Sequence, residues 1–161
     1  MLETKFHVPL WRPGAVPRPH LLERLNLGLV EHRKLTLVAA PAGYGKTTLM
    51  AEWLSKERVQ GKAADESTVS SRAAWLSLDR ADNDPARFLS YWIEALQRVD
   101  EALGQSAQSL LGMPQIPPVN AILDELLNDL ALLTTQIVLV VDDYHLISNP
   151  QIHDALAYFV E

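Results

Sequence analysis

Ala40-Pro41-Ala42-Gly43-Tyr44-Gly45-Lys46-Thr47 satisfies G-x-x-x-x-G-K-[ST] at every fixed position but the first, where Ala40 stands for Gly. These residue types in this order suit a polyphosphate. Gly43 and Gly45 permit backbone angles and a closeness of approach that side chains would obstruct. The loop N–H groups and the start of the following helix then face one point, which makes an anion site. Lys46 has the reach for β- and γ-phosphates, the Thr47 hydroxyl is a Mg²⁺ ligand, and Thr48 is placed for the α-phosphate. At average residue usage, a chance match in a chain of this size has a frequency on the order of 1%. The bland alternative is a Gly-rich turn that caps a helix.

About 95 residues further on, Val138-Leu139-Val140-Val141-Asp142-Asp143 is an apolar run ending in two acids. The first, Asp142, suits Mg²⁺ held through its water shell. The second, Asp143, suits the orientation or deprotonation of an attacking water. Taken alone, a strand followed by an Asp turn explains the run; the phosphate-loop motif upstream gives it a partner. His145 reads as a surface or packing histidine. Asp79, Asp82, Asn83 and Asp84 form an acidic loop without the Gly and terminal Glu of an EF-hand, so capping is preferred to cation binding. Trp53, Trp75 and Trp92 read as core.

The elements that must position these residues follow from periodicity. Prolines at 9, 13, 17 and 19 make residues 1–19 an extended arm. Leu21, Leu22, Leu25 and Leu29 mark a helix over 20–30. The apolar run 35–40 predicts a buried strand that feeds the phosphate loop, and a helix follows over 46–58. Residues 60–72 are small and polar and read as a loop. A strand is predicted at 73–78, a helix from Asp84-Pro85 to Val99, a weaker one over 101–111, and another over 119–133. Residues 137–141 predict a strand buried on both faces, and Asn149-Pro150 opens a last helix. Alternating strands and helices imply an α/β fold with a parallel sheet and flanking helices.

Composition limits the rest. The 161 residues suffice for one domain with a core. With 14 Lys and Arg against 20 Asp and Glu, the net charge of −6 argues against direct binding to a nucleic-acid backbone. The absence of Cys excludes disulfides and thiolate chemistry. No apolar run approaches the roughly 18 residues of a membrane helix, and no secretory signal opens the chain, so a cytoplasmic setting with no membrane partner is expected.

Four stretches together resemble one family: PAGYGKTTL, WLSLDRADNDPARFLSYWIEAL, the DDYHLI turn, and the arm pattern carried by Val16, Arg18, Leu21, Leu22 and Leu25. They look like the N-terminal ATPase module of the maltose-regulon activator (MalT-like) family. These are large ATP-binding LuxR-type transcriptional regulators in the signal-transduction class of P-loop ATPases. The resemblance implies an ATP- or ADP-binding switch with Mg²⁺, slow hydrolysis, and self-association of the full-length protein. It maps the phosphate loop to Gly43, Tyr44, Gly45, Lys46, Thr47 and Thr48, the metal and hydrolysis acids to Asp142 and Asp143, and an arm arginine beside the nucleotide to Arg18. It implies a five-stranded P-loop core of which residues 20–161 form only the N-terminal part. The strand that bears a phosphate-sensing Arg, the lid, the sensor repeats and the DNA-binding domain are not among the 161 residues. On this reading the chain contacts no DNA itself and is an incomplete ATPase. The competing class is a P-loop enzyme, a small-molecule kinase or a motor-type ATPase. Against it, no Arg cluster follows Leu110 and no Gly occurs over 126–136.

Overall fold

The computed structural model describes residues 3–10, 14, 16–60 and 71–161. They fall into two compact units, one formed by the described part of residues 1–7 with Arg72–Glu161, the other by the described part of Val8–Ser71. Most of the predicted loop over 60–72 lies outside the described residues.

The first unit is α/β. Strands β1 (Ser71–Ser77) and β2 (Gln136–Asp142) pair in parallel as a two-stranded sheet. Helices α3 (Pro85–Gln97), α4 (Gln105–Leu111), α5 (Val119–Ala131) and α6 (Pro150–Val160) flank it. Two of these starts are written in the sequence: Asp84 accepts from Arg87 N (2.8 Å) ahead of Pro85, and Asn149 accepts from Gln151 N (3.0 Å) ahead of Pro150. Strand alternation turns Ala74 and Leu76 into a core shared with Phe88, Trp92, Ile93, Leu123, Leu126 and Ile152. Trp75, on the other face of β1, is also buried. Ile137, Leu139 and Val141 pack on the core only partly, and Val140 is the one fully buried residue of β2. The prediction of burial on both faces is thus corrected: among the described residues the sheet continues no further than β1 and β2, so much of the strand keeps some exposure.

The opening residues also depart from an extended arm. Glu3–Phe6 form a 3-10 turn whose side chains join this unit. Lys5 is buried against Asp79 (2.8 Å) and Asp82, and Phe6 lies between Tyr91 (6.0 Å) and the Arg98 guanidinium (4.3 Å). The acidic loop consumes its carboxylates internally. Asp79 accepts from Ala81 N (2.7 Å), Asp82 accepts from Asp79 N (2.7 Å) and from Arg87 Nε (3.1 Å), and Asp84 caps α3. No cluster of three or more metal-ligating side chains occurs among the described residues.

The second unit pairs α1 (Pro19–Val30) with α2 (Lys46–Gln60). Leu22, Leu25, Leu49, Ala51, Trp53 and Leu54 are its buried apolar side chains among the described residues, and Trp53 Nε1 donates to Asn26 Oδ1 (2.5 Å). The run predicted as a strand over 35–40 forms none. A strand needs a neighbour to satisfy its backbone, and among the described residues none pairs with this run. Leu35 and Leu37 are accordingly 56% and 81% exposed. No helix among the described residues is long and apolar enough to cross a membrane.

Candidate phosphate loop and acidic turn

The sequence-predicted site residues occupy both units. Arg18 and Gly43 through Thr48 belong to the second, Asp142 and Asp143 to the first.

In the second unit the loop bends through two left-handed glycines, Gly43 (φ 81°) and Gly45 (φ 75°), angles that L side chains seldom adopt. A Cβ added at Gly43 would meet nothing within 4 Å. The first bond of the α2 ladder runs from Leu49 N to Gly45 O (2.9 Å), so the N–H groups of Lys46, Thr47 and Thr48 precede the ladder and carry the positive end of the helix. Lys46 folds back over the loop, its Nζ donating to Ala40 O (2.8 Å) and Pro41 O (3.2 Å). Arg18 stands at the start of α1, where its carbonyl accepts from Leu21 N (3.0 Å) and Leu22 N (3.3 Å). Because α1 and α2 pack together, its guanidinium reaches across to Tyr44 O (2.8 Å) and lies 3.7 Å from the Cβ position of Gly45. The structure therefore brings the arm arginine onto the loop. Two cations, two glycines and a helix start converge there, a donor set chemically suited to an oxyanion.

In the first unit Asp142 ends β2, its carbonyl accepting from Leu78 N (3.1 Å) and its Oδ1 from Asp143 N (3.0 Å). Asp143 adopts a left-handed conformation (φ 58°, ψ 28°), opens the 3-10 turn Tyr144–Leu146 and is exposed. His145 Nδ1 lies 3.8 Å from Asp143 Oδ1, and both side chains are largely in solvent. Tyr144 and His153 share a hydrogen bond (2.6 Å), and burial pushes the Tyr144 phenol up.

Sequence reasoning missed Asn83 as a structural partner of this turn. Its side chain bonds Leu146 O, Ser148 N and Asn149 N. The available signal was an Asn in a D-x-x-D-N-D-P run, since Asn side chains bond readily to backbone groups.

No protein-family model matches the chain. Among curated proteins it is similar to transcriptional regulators that carry one name. It is 35% identical to the HTH-type transcriptional regulator MalT of Vibrio parahaemolyticus over 156 residues, 94% of this chain and 16% of that protein. It is 35% identical to MalT of Yersinia enterocolitica and 34% identical to MalT of Cronobacter sakazakii, each over 160 residues, 99% of this chain and 16% of the relative. The chain is an α/β segment homologous to transcriptional regulators. Along nearly its whole length it is a homologue of MalT, and it spans about one sixth of the length of the relatives it matches.

Proposed function

We propose that the chain is part of an ATP- or ADP-binding switch module of a LuxR-type transcriptional regulator, with Mg²⁺ as its metal and slow ATP hydrolysis in the full-length protein. The observation that supports this most is the phosphate loop: left-handed Gly43 and Gly45 lead into α2, with Lys46 and Arg18 bonded to the loop itself. On this reading the backbone of Gly43, Tyr44 and Gly45, with Lys46, Thr47, Thr48 and Arg18, holds the phosphates. Thr47 and Asp142 are each suited to ligate Mg²⁺, and Asp143 to orient an attacking water. Bound Mg²⁺ screens the charge of the transferred phosphoryl group. Lys46 and Arg18 exchange their bonds to loop carbonyls for bonds to phosphate oxygens.

The same reading assigns residues 20–161 to the N-terminal part of a P-loop domain behind an arm of residues 1–19. DNA contact and self-association belong to the full-length protein, in the cytoplasm. Thermal melts with and without millimolar ATP or ADP and Mg²⁺ test it. A ligand bound only by the folded state stabilises by about 2.7 kcal/mol at one hundred times its dissociation constant, so the melt should move upward. A folded chain that shows no shift with either nucleotide refutes the assignment.

A further inference from the structure

We propose that Asn83 is a positioning residue for Asp143, acting through the turn that follows β2. The inference rests on reading Asp143 as the group that orients the attacking water. Its geometry lies wholly within the first unit.

Asp143 holds an αL conformation, which a non-glycine residue keeps when its surroundings fix it. Its carboxylate is exposed, and His145 Nδ1 stands 3.8 Å away, beyond hydrogen-bond range. The backbone beneath it therefore sets the point and direction from which the side chain projects. That backbone is tied forward: Asp143 O accepts from Leu146 N (3.0 Å), and Tyr144 O accepts from Ile147 N (3.0 Å). Leu146 is in turn held by Asn83, whose Nδ2 donates to Leu146 O (2.9 Å). Asn83 Oδ1 accepts from Ser148 N (2.7 Å) and Asn149 N (3.0 Å), and Asn149 Nδ2 returns a bond to Asn83 O (2.9 Å). One amide thus uses both ends on a stretch 63 to 66 residues away, immediately beyond the acids. It joins the loop after β1 to the loop after β2 and leaves the 143–146 turn little freedom. Chemistry that depends on a carboxylate held in one direction is sensitive to such remote supports.

The test uses the full-length protein with Asn83→Ala, Asn83→Asp, and the neighbouring control Asp84→Ala, which removes the α3 cap without touching residues 146–149. Three readouts are needed at temperatures where all variants are folded: amide hydrogen exchange over 143–147, ADP affinity, and hydrolysis per bound ATP in a single turnover. Asn83→Ala should speed exchange and slow hydrolysis by about one to two orders of magnitude, with ADP affinity kept within about twofold. Asn83→Asp, which keeps the acceptor for Ser148 and Asn149 but loses the donor to Leu146, should fall between it and the unaltered chain. Asp84→Ala should lower the melting temperature and leave hydrolysis per bound ATP unchanged. Unchanged exchange in Asn83→Ala overturns the clamp. Equal loss of hydrolysis in Asp84→Ala at matched stability, or loss of ADP affinity in step with hydrolysis, overturns the positioning role. An unaltered full-length protein that neither binds nor hydrolyses ATP overturns the reading of the site, and the hydrolytic role of Asn83 with it, even where exchange responds as described.

Discussion

On the proposed reading, Lys46 and Asp143 do two kinds of work. Lys46 is a movable cation whose present partners are the carbonyls of Ala40 and Pro41. A charge-assisted hydrogen bond contributes about 1.5–3 kcal/mol, so Lys46→Ala should weaken nucleotide binding by about 10- to 150-fold. The lower end is favoured because those carbonyl bonds are given up on binding. Isothermal titration measures it, and unchanged affinity would remove Lys46 from the phosphate site. Asp143→Asn keeps the shape of the exposed turn and removes a base. Binding should stay within about twofold while hydrolysis slows by about 10²–10⁴-fold, read in a single turnover with the full-length protein. The left-handed glycine turn before α2 was legible in the sequence because its parts are contiguous. Arg18 at the loop and Asn83 at the turn were harder to see, since their partners lie 26 and 63 residues away and only the packing of elements brings them close.

Elements were legible where a cap and an apolar stripe coincide. Asp84-Pro85 and Asn149-Pro150 mark the starts of α3 and α6, and Phe88, Trp92 and Ala95 face the core as the spacing implies. The run 35–40 has the composition of a strand but lacks a neighbour among the described residues, and composition cannot say whether a neighbour is there. The 3-10 turn at Glu3–Phe6 was hidden differently: a charged residue near four prolines gives no local sign that Lys5 will be buried 77 residues from its partner Asp82. Breaking such a pair leaves a buried carboxylate, so Lys5→Met should destabilise by on the order of 3 kcal/mol, checked by urea unfolding. Arg87 remains to offset part of the loss. The pair also has a pH signature. Lys5 holds Asp79 below the usual carboxylate range, so that contribution is complete above a pH of about 4 and fades as acid protonates Asp79 through its lowered value. Burial works against the Lys5 ammonium, but its bonds to Asp79 and Asp82 prevail and raise its pKa. Its contribution is therefore whole below a pH of about 10 and is lost only above that. The stability gap between the unaltered chain and Lys5→Met should be widest near neutrality and narrow at both extremes. A gap independent of pH would contradict the ion-pair account.

At the scale of the molecule, an apolar run with 56% and 81% exposure at Leu35 and Leu37 and the composition of a strand can pair with another backbone. The 161-residue chain should therefore self-associate, and Leu37→Lys should reduce that association, since charge on an unpaired strand edge opposes pairing. Light scattering over a concentration series decides it; a monodisperse unaltered chain would show that the run is protected in solution. The two-unit division was not legible, because hydrophobic periodicity defines elements and is silent about which of them cluster. That division has a consequence for biosynthesis. Lys5 leaves the ribosome 77 residues before Asp82, which at about 5–20 residues per second is a wait of about 4–15 s. Within that interval the whole Val8–Ser71 stretch is made, while the unit on either side of it in sequence cannot close. Lys5 and Phe6 must stay unattached, open to chaperones, until β1, the acidic loop and α3 emerge to receive them.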